Sequence, residues 1–181
     1  MKLALPEWTV LALLREEPRH GFAIAALTAS AGAVGRVWSV PRPMVYRSLG
    51  RLEDAALIAP TTVESGPGPQ RTVYALTASG RESVDEWLTQ PAEHVRQLRS
   101  HLLVKLALLH RRGLDPRDLL RGQRAVLERI VTAIEADHGE GFDAVLLSWR
   151  HTNATAALRF VDDLAADQRI SPARLRTQDC D

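Results

Sequence analysis

The order of segments between residues 41 and 76 constrains the fold most. A helix is predicted from about residue 41 to residue 56. Its apolar residues recur at helical spacing and form one face: Val45, Leu49, Leu52 and Ala56. Two β-prone runs follow, Ile58 to Val63 and Gln70 to Leu76, separated by the turn-forming segment Ser65-Gly66-Pro67-Gly68-Pro69. Two strands joined by a Gly/Pro loop directly after a helical unit predict a two-stranded wing.

Two further helices are predicted ahead of this segment. The first runs from about Leu5 to Glu16 and ends before Pro18, because proline disfavours helix in the residue that precedes it. The second starts near His20-Gly21-Phe22 and ends in a glycine-rich loop, and Trp38 is expected to pack in the core just before the third helix. Three helices and a hairpin predict a winged helix-turn-helix domain over residues 1–90.

Positive charge is concentrated on the third helix. The whole chain has a net charge of +1, which does not by itself indicate a nucleic-acid partner. Projection at about 100° per residue places Arg47 and Arg51 opposite the apolar face, where guanidinium groups can reach phosphates and guanine edges. On charge alone, a solvated helix face is an equally good interpretation. The residues predicted to contact DNA are Arg42, Tyr46, Arg47, Arg51 and, at the base of the wing, Arg71.

Residues 91–168 are predicted to be helical, so the whole chain is expected to be mainly α with a small β component. The last helix, from about Phe142 to Gln168, carries a seam with the 4-3-4-3-4 spacing of a coiled coil. Such a seam packs on another helix of the same chain or on a second copy. The predicted dimerisation residues on it are Leu147, Ala154, Leu158 and Val161. Residues 169–181 have a low apolar content and are predicted to be a flexible tail.

Residues 5 to 90 resemble the PadR family of bacterial transcription regulators. Four segments carry the resemblance: Leu11-Ala12-Leu13-Leu14, Arg19 to Ile24, Met44 to Ile58, and Arg71 to Arg81. The third segment is similar to the family's recognition helix, and the fourth to its wing strand and the turn that follows. One departure is Ala56, because the family favours glycine after the recognition helix.

The resemblance implies a homodimer that reads an inverted repeat in double-stranded DNA through two winged domains. It also implies a repressor that releases DNA when a small aromatic ligand binds. We expect such an effector between the winged domain and the C-terminal helices, near Trp8, Trp87 and Trp149. A tryptophan in such a position is more often a core or interface anchor than a ligand platform, so packing is the favoured interpretation of each.

Other function classes have little support in the sequence. There is no nucleophile elbow, phosphate-binding glycine loop or Cys-x-x-Cys, so neither an enzyme nor a cofactor is predicted. His94 and His101 lack the i, i+4 spacing of a two-histidine metal site, and no metal is predicted. The single cysteine, Cys180, and the lack of a long apolar run favour a cytoplasmic protein without a membrane partner. The remaining alternative is a helical protein–protein interaction module with a winged fold that does not use DNA.

Overall fold

The computed structural model of this 181-residue chain describes residues 2–64 and 70–167. The chain divides into two compact units, residues 1–88 and 89–181. Two of our predictions, the turn at 65–69 and the flexible tail, lie outside the described residues, and so does Cys180.

The first unit is a winged helix-turn-helix, as predicted. Its elements are α1 (Leu5–Glu16), β1 (Arg19–His20), α2 (Gly21–Thr28), α3 (Arg42–Asp54), β2 (Ile58–Glu64), β3 (Arg71–Leu76) and α4 (Ala78–Thr89). The wing has three antiparallel strands in the order β1-β3-β2, not two. The additional strand, β1, pairs Arg19 with Tyr74 and His20 with Val73. Two residues are too short for an alternating pattern, which is why the sequence did not predict β1.

The core of the first unit is built on α1, whose residues 9–14 are all buried. α1 packs against α3 and β3, and the predicted apolar face of α3 is buried at Val45, Leu49 and Leu52. The prediction for Trp38 was wrong, because its side chain is 40% exposed. The neighbouring Val34 and Val40 occupy the core instead.

The C-terminal end of α3 contains an alanine in a conformation that favours glycine. Ala56 has φ +54°, whereas Ala55 before it has φ −82°. The Leu57 N–H donates to the Leu52 carbonyl at 3.0 Å and the Ala56 N–H to the Glu53 carbonyl at 2.8 Å. These two bonds form a Schellman motif, in which the left-handed position is most often glycine.

We expect Ala56→Gly to raise the free energy of unfolding by about 1 kcal/mol, because it removes the Cβ strain of the left-handed region. The matched control, Ala55→Gly, places the same residue at a negative φ and should lower stability. Chemical denaturation of the three proteins measures both effects. Equal destabilisation by the two substitutions would show that Ala56 carries no strain.

The second unit contains a 3₁₀ turn (Val95–Gln97), a π turn (Leu98–Leu102), α5 (Leu103–Arg111), α6 (Arg117–Glu135) and α7 (Phe142–Ala166). Two buried side chains fix the chain at residues 90–92. Gln123 both accepts from the Ala92 N–H at 2.7 Å and donates to the Ala92 carbonyl at 2.9 Å. The Lys105 ammonium donates to the Gln90 carbonyl at 2.6 Å, and burial lowers the pKa of Lys105 to about 8.

None of the described helices has both the length and the apolar content needed to cross a bilayer.

The predicted dimerisation seam of α7 faces its own protomer. α6 and α7 pack along each other, and Ala154 and Val161 are fully buried. Leu147 and Leu158 are half-buried, and an ion pair between Arg124 and Asp162 at 2.9 Å lies beside the contact. Two amphipathic helices joined by a short connection can bury their apolar stripes against each other without a second copy. The sequence left open whether the seam packs on another helix of the same chain or on a second copy. In the structure it packs on α6 of the same chain, and Ala154 and Val161 are therefore buried within the protomer.

Candidate nucleic-acid interface

α3 presents a polar face on the side opposite its buried apolar residues. Arg42, Tyr46, Arg47 and Arg51 are all exposed, and the Tyr46 side chain is 46% exposed. A Cβ at Gly50, on the same side, would meet nothing within 4 Å. The face is therefore open along the length of the helix, with room for the close approach of a ligand backbone.

The ring of Phe22 lies close to two arginines that belong to different elements. Its ring, 48% exposed at the start of α2, lies 5.4 Å from the Arg42 guanidinium carbon and 5.2 Å from that of Arg71. Arg42 also lies 5.7 Å from the centre of the Tyr46 ring. These distances are those of cation–π contacts. The Phe22 cluster (Phe22, Arg42, Tyr46 and Arg71) thus joins the positive charge of α3 to that of the wing.

Phe22 was not among the residues predicted to contact DNA. In the sequence it marks only the turn at the start of the second helix. The histidine before it does have a local structural role, since His20 Nδ1 accepts from the Ala23 N–H at 3.0 Å and caps α2. The pairing of β1 with β3 places this turn beside the strand that carries Arg71.

A groove of about 520 Å³ lies between α2, α3 and β3. Its lining residues are His20, Gly21, Phe22, Arg42, Tyr46, Leu49, Gly50, Gln70, Arg71, Thr72 and Tyr74. Gly21 lets the Tyr46 ring lie close to the backbone of α2, because a Cβ there would lie 2.8 Å from Cε1 of Tyr46 and the ring would have to shift. Burial raises the pKa of Tyr74, and the nearby Glu53 carboxylate raises it further, so this hydroxyl stays protonated.

Arg51 differs from the other predicted contact residues. Its Nη1 donates to Oε1 of Glu7 at 2.8 Å, and the Glu7 side chain is only 2% exposed. The other oxygen of Glu7 accepts from the Ala4 N–H at 2.9 Å, at the start of α1. Arg51 therefore anchors α3 to α1, and its removal would leave a buried carboxylate without this partner. Loss of DNA binding in an Arg51 variant would not by itself identify a DNA contact.

The three tryptophans of the predicted effector site have different environments. Trp8 and Trp87 stack within the first unit, with ring centres 5.2 Å apart and an angle of 4° between planes, and Trp87 is 5% exposed. The Asp85 carboxylate of the same helix accepts hydrogen bonds from Nε and Nη2 of Arg15 at 3.1–3.2 Å. These contacts fix α4 to α1, which is a packing role. Trp149 belongs to the second unit, where its side chain on α7 is 67% exposed.

Comparisons with known proteins show that part of the chain is similar to regulators of transcription. Residues 10–86 match the model of the transcriptional regulator PadR-like family. A probable transcriptional regulator of Mycobacterium tuberculosis is 27% identical over 141 residues, which are 78% of this chain and 72% of that protein. The negative transcriptional regulator PadR of Bacillus subtilis is 28% identical over 82 residues, which are 45% of this chain and 44% of that protein.

A crystal structure of Bacillus subtilis PadR in complex with operator DNA is also similar. It has a TM-score of 0.46 and 17% identity, and the match covers 88% of this chain and 97% of that one. Both sequence relatives are named as regulators of transcription. The match to the family model extends over most of the winged unit, including α3, the wing and the Phe22 cluster. Over residues 10–86, the chain is similar to the PadR-like family of transcriptional regulators.

Proposed function

We propose that this regulator is a repressor that binds an inverted-repeat operator as a homodimer and releases it in response to a small ligand. The observation that carries the proposal is the Phe22 cluster, in which Arg42 from α3 and Arg71 from β3 approach one ring. A duplex presents phosphates on both sides of its major groove, so a helix in the groove and a wing beside it are expected to contact DNA together. Such a protein acts where the bacterial chromosome is, in the cytoplasm.

In this proposal α3 lies in the major groove. Arg47 would read base edges, because it is exposed midway along the open face, and Tyr46 would contact the backbone. Arg42 and Arg71 would neutralise phosphates, and Arg51 would hold α3 in position through Glu7. Phosphate contacts set the register of the helix, and base contacts set the operator sequence.

The homodimer is proposed to form through a second face of α7. This outer face consists of large apolar residues that are 36–73% exposed: Phe142, Val145, Leu146, Trp149 and Phe160. It lies about 140° around the helix from the seam that packs on α6, at 100° per residue. Soluble monomers rarely expose apolar patches of this kind. The occupant we propose is a second copy of the chain, since Asp143, Arg150, Arg159 and Asp163 of α7 supply both signs of charge for a two-fold contact.

The repressor and effector parts of the proposal rest on the similar proteins and on the sequence resemblance. The similar Bacillus subtilis protein is named a negative regulator, and the sequence resemblance implied an aromatic effector. Of the three tryptophans assigned to that effector, Trp8 and Trp87 already stack on each other. Trp149 is the one whose ring is mostly exposed, and it belongs to the proposed dimer face.

Binding to DNA from upstream of the protein's own gene, measured over a series of salt concentrations, tests the proposal. If each of two protomers neutralises about three phosphates, the slope of log K against log salt should be about −5. A scrambled fragment of equal length is the control and should bind more weakly at every salt concentration. A protein–protein interaction module, our alternative, would show no difference between the fragments and no steep slope.

A further inference from the structure

The first turn of α3 offers few polar groups to a DNA groove. α3 has Pro41 at its N-cap and Pro43 in its first turn, and a proline has no N–H to donate. The Met44 N–H already donates to the Pro41 carbonyl at 2.8 Å. The Arg42 guanidinium group belongs to the Phe22 cluster, where it lies over aromatic rings. The part of the first turn that remains for base edges is therefore mostly apolar.

Met44 lies beside the residue that is proposed to read bases. Its side chain is half-buried, and its sulfur lies 3.6 Å from Nη1 of the exposed Arg47. A thioether sulfur is a weak acceptor, so this contact orients one nitrogen of the guanidinium group and leaves its other N–H groups available to O6 and N7 of a guanine. The two side chains therefore present a hydrogen-bonding group and an apolar group side by side.

The spacing of these two groups is close to the spacing of base pairs. Successive base pairs of B-DNA are about 3.4 Å apart along the helix axis, and Arg47 Nη1 lies 3.6 Å from Met44 Sδ. The ends of the two side chains can therefore contact neighbouring base pairs. In the major groove, the apolar group that marks one base is the C5 methyl group of thymine. A methionine side chain, which is flexible and polarisable, can pack against a methyl group.

The charges along α3 favour reading by this end of the helix. Arg42 and Arg47 lie in its first two turns, whereas the exposed Glu53 and Asp54 lie at its C-terminal end. DNA phosphates repel carboxylates, and the N-terminal residues of a recognition helix are those that contact base edges. Met44, in the first turn, is thus expected to lie within reach of the bases.

We propose that Met44 is a specificity-determining residue, which contacts the methyl group of a thymine in the base pair next to the guanine read by Arg47. This inference rests on the proposed function, because it requires α3 to lie in the major groove. It adds a base preference that positive charge cannot supply. Contacts to phosphates do not distinguish thymine from uracil, whereas an apolar contact to the methyl group does.

Replacement of thymine by uracil in the DNA tests the contact, since it removes the methyl group and leaves base pairing unchanged. Sites that the full-length protein binds are first selected from a library of random double-stranded DNA. Each thymine of the selected consensus is then replaced in turn, in both half-sites together, and the affinity is measured by fluorescence anisotropy. At a thymine next to a guanine we expect the affinity to fall about fifteenfold, because loss of one buried methyl group lowers it about fourfold in each half-site.

Three variants assign the effect to its residue. Met44→Ala should bind the thymine and uracil sites equally, because the apolar end that contacts the methyl group is gone. Met44→Leu keeps an apolar side chain of similar size and should retain the preference for thymine. The control Leu114→Ala truncates an exposed apolar side chain of the second unit and should leave the wild-type ratio unchanged. The readout is a ratio of two affinities of one protein, so a loss of stability in a variant does not imitate the effect.

The outcomes separate this inference from the proposed function. Sequence-specific binding in which no thymine position is sensitive to uracil would overturn the inference alone. A preference for thymine that persists in Met44→Ala would also overturn it, because another residue would then contact the methyl group. Selection that yields no consensus sequence would contradict the proposed function, and this inference with it.

Discussion

Replacement of Arg42 and Arg71 by alanine is expected to lower operator affinity by at least about a hundredfold. Each arginine should contribute about 1–3 kcal/mol for each half-site, and tenfold in affinity corresponds to about 1.4 kcal/mol. The slope of log K against log salt should become shallower by about 3–4, because four phosphate contacts are lost from a dimer. Fluorescence anisotropy of labelled operator, measured from low to moderate salt, gives both quantities.

The matched control is the double variant Arg81→Ala/Arg99→Ala. It removes the same charge from two other exposed positions, outside the Phe22 cluster. General attraction of DNA by net charge would weaken both double variants equally. Full operator affinity in the Arg42/Arg71 variant, with an unchanged circular dichroism spectrum, would show that the Phe22 cluster does not face DNA. Arg51 is left intact in these variants. Its replacement would also break the bond to the buried Glu7, so weaker DNA binding could result either from a lost DNA contact or from a disturbed fold.

The winged unit could be predicted from the sequence because its signals are local. The apolar spacing of α3 and the Gly/Pro segment between two β-prone runs depend only on nearby residues. The predicted helix starts and strand positions agree with the structure to within a few residues. The left-handed conformation of Ala56, with φ +54°, was not predicted, but it occurs at the position where the family favours glycine.

The parts that were not predicted depend on contacts between distant residues. No pattern near Phe22 indicates that Arg71, 49 positions later in the sequence, will lie beside its ring. The bond between Arg51 and Glu7 likewise joins two helices and is invisible in a projection of α3 alone. The heptad-like seam of α7 was identified correctly as a packing surface, but spacing does not say which helix covers it. α6 covers it, and the surface that remains exposed is formed by Trp149 and its neighbours.

Trp149→Lys in α7 is expected to convert the protein to a monomer at micromolar concentration. A two-fold contact buries the substituted residue twice, and truncation of a central aromatic anchor commonly costs about 2–4 kcal/mol, so the dimer dissociation constant should rise at least about a hundredfold. Helical content should not change, because the Trp149 side chain is 67% exposed in the protomer. Light scattering coupled to size-exclusion chromatography measures the mass directly.

Two further substitutions in α7 separate the outer face from the seam. Thr155→Lys introduces the same charge at an exposed position that belongs to neither surface, and this variant should remain a dimer. Val161→Asp introduces a carboxylate into the contact between α6 and α7, where Val161 is fully buried, and should unfold the second unit rather than dissociate a folded dimer. A folded monomer from Val161→Asp, together with an unaltered dimer from Trp149→Lys, would reassign dimerisation to the seam. The expected pattern is the reverse: a folded monomer from Trp149→Lys binds a full operator weakly, because each winged domain must then find its half-site alone.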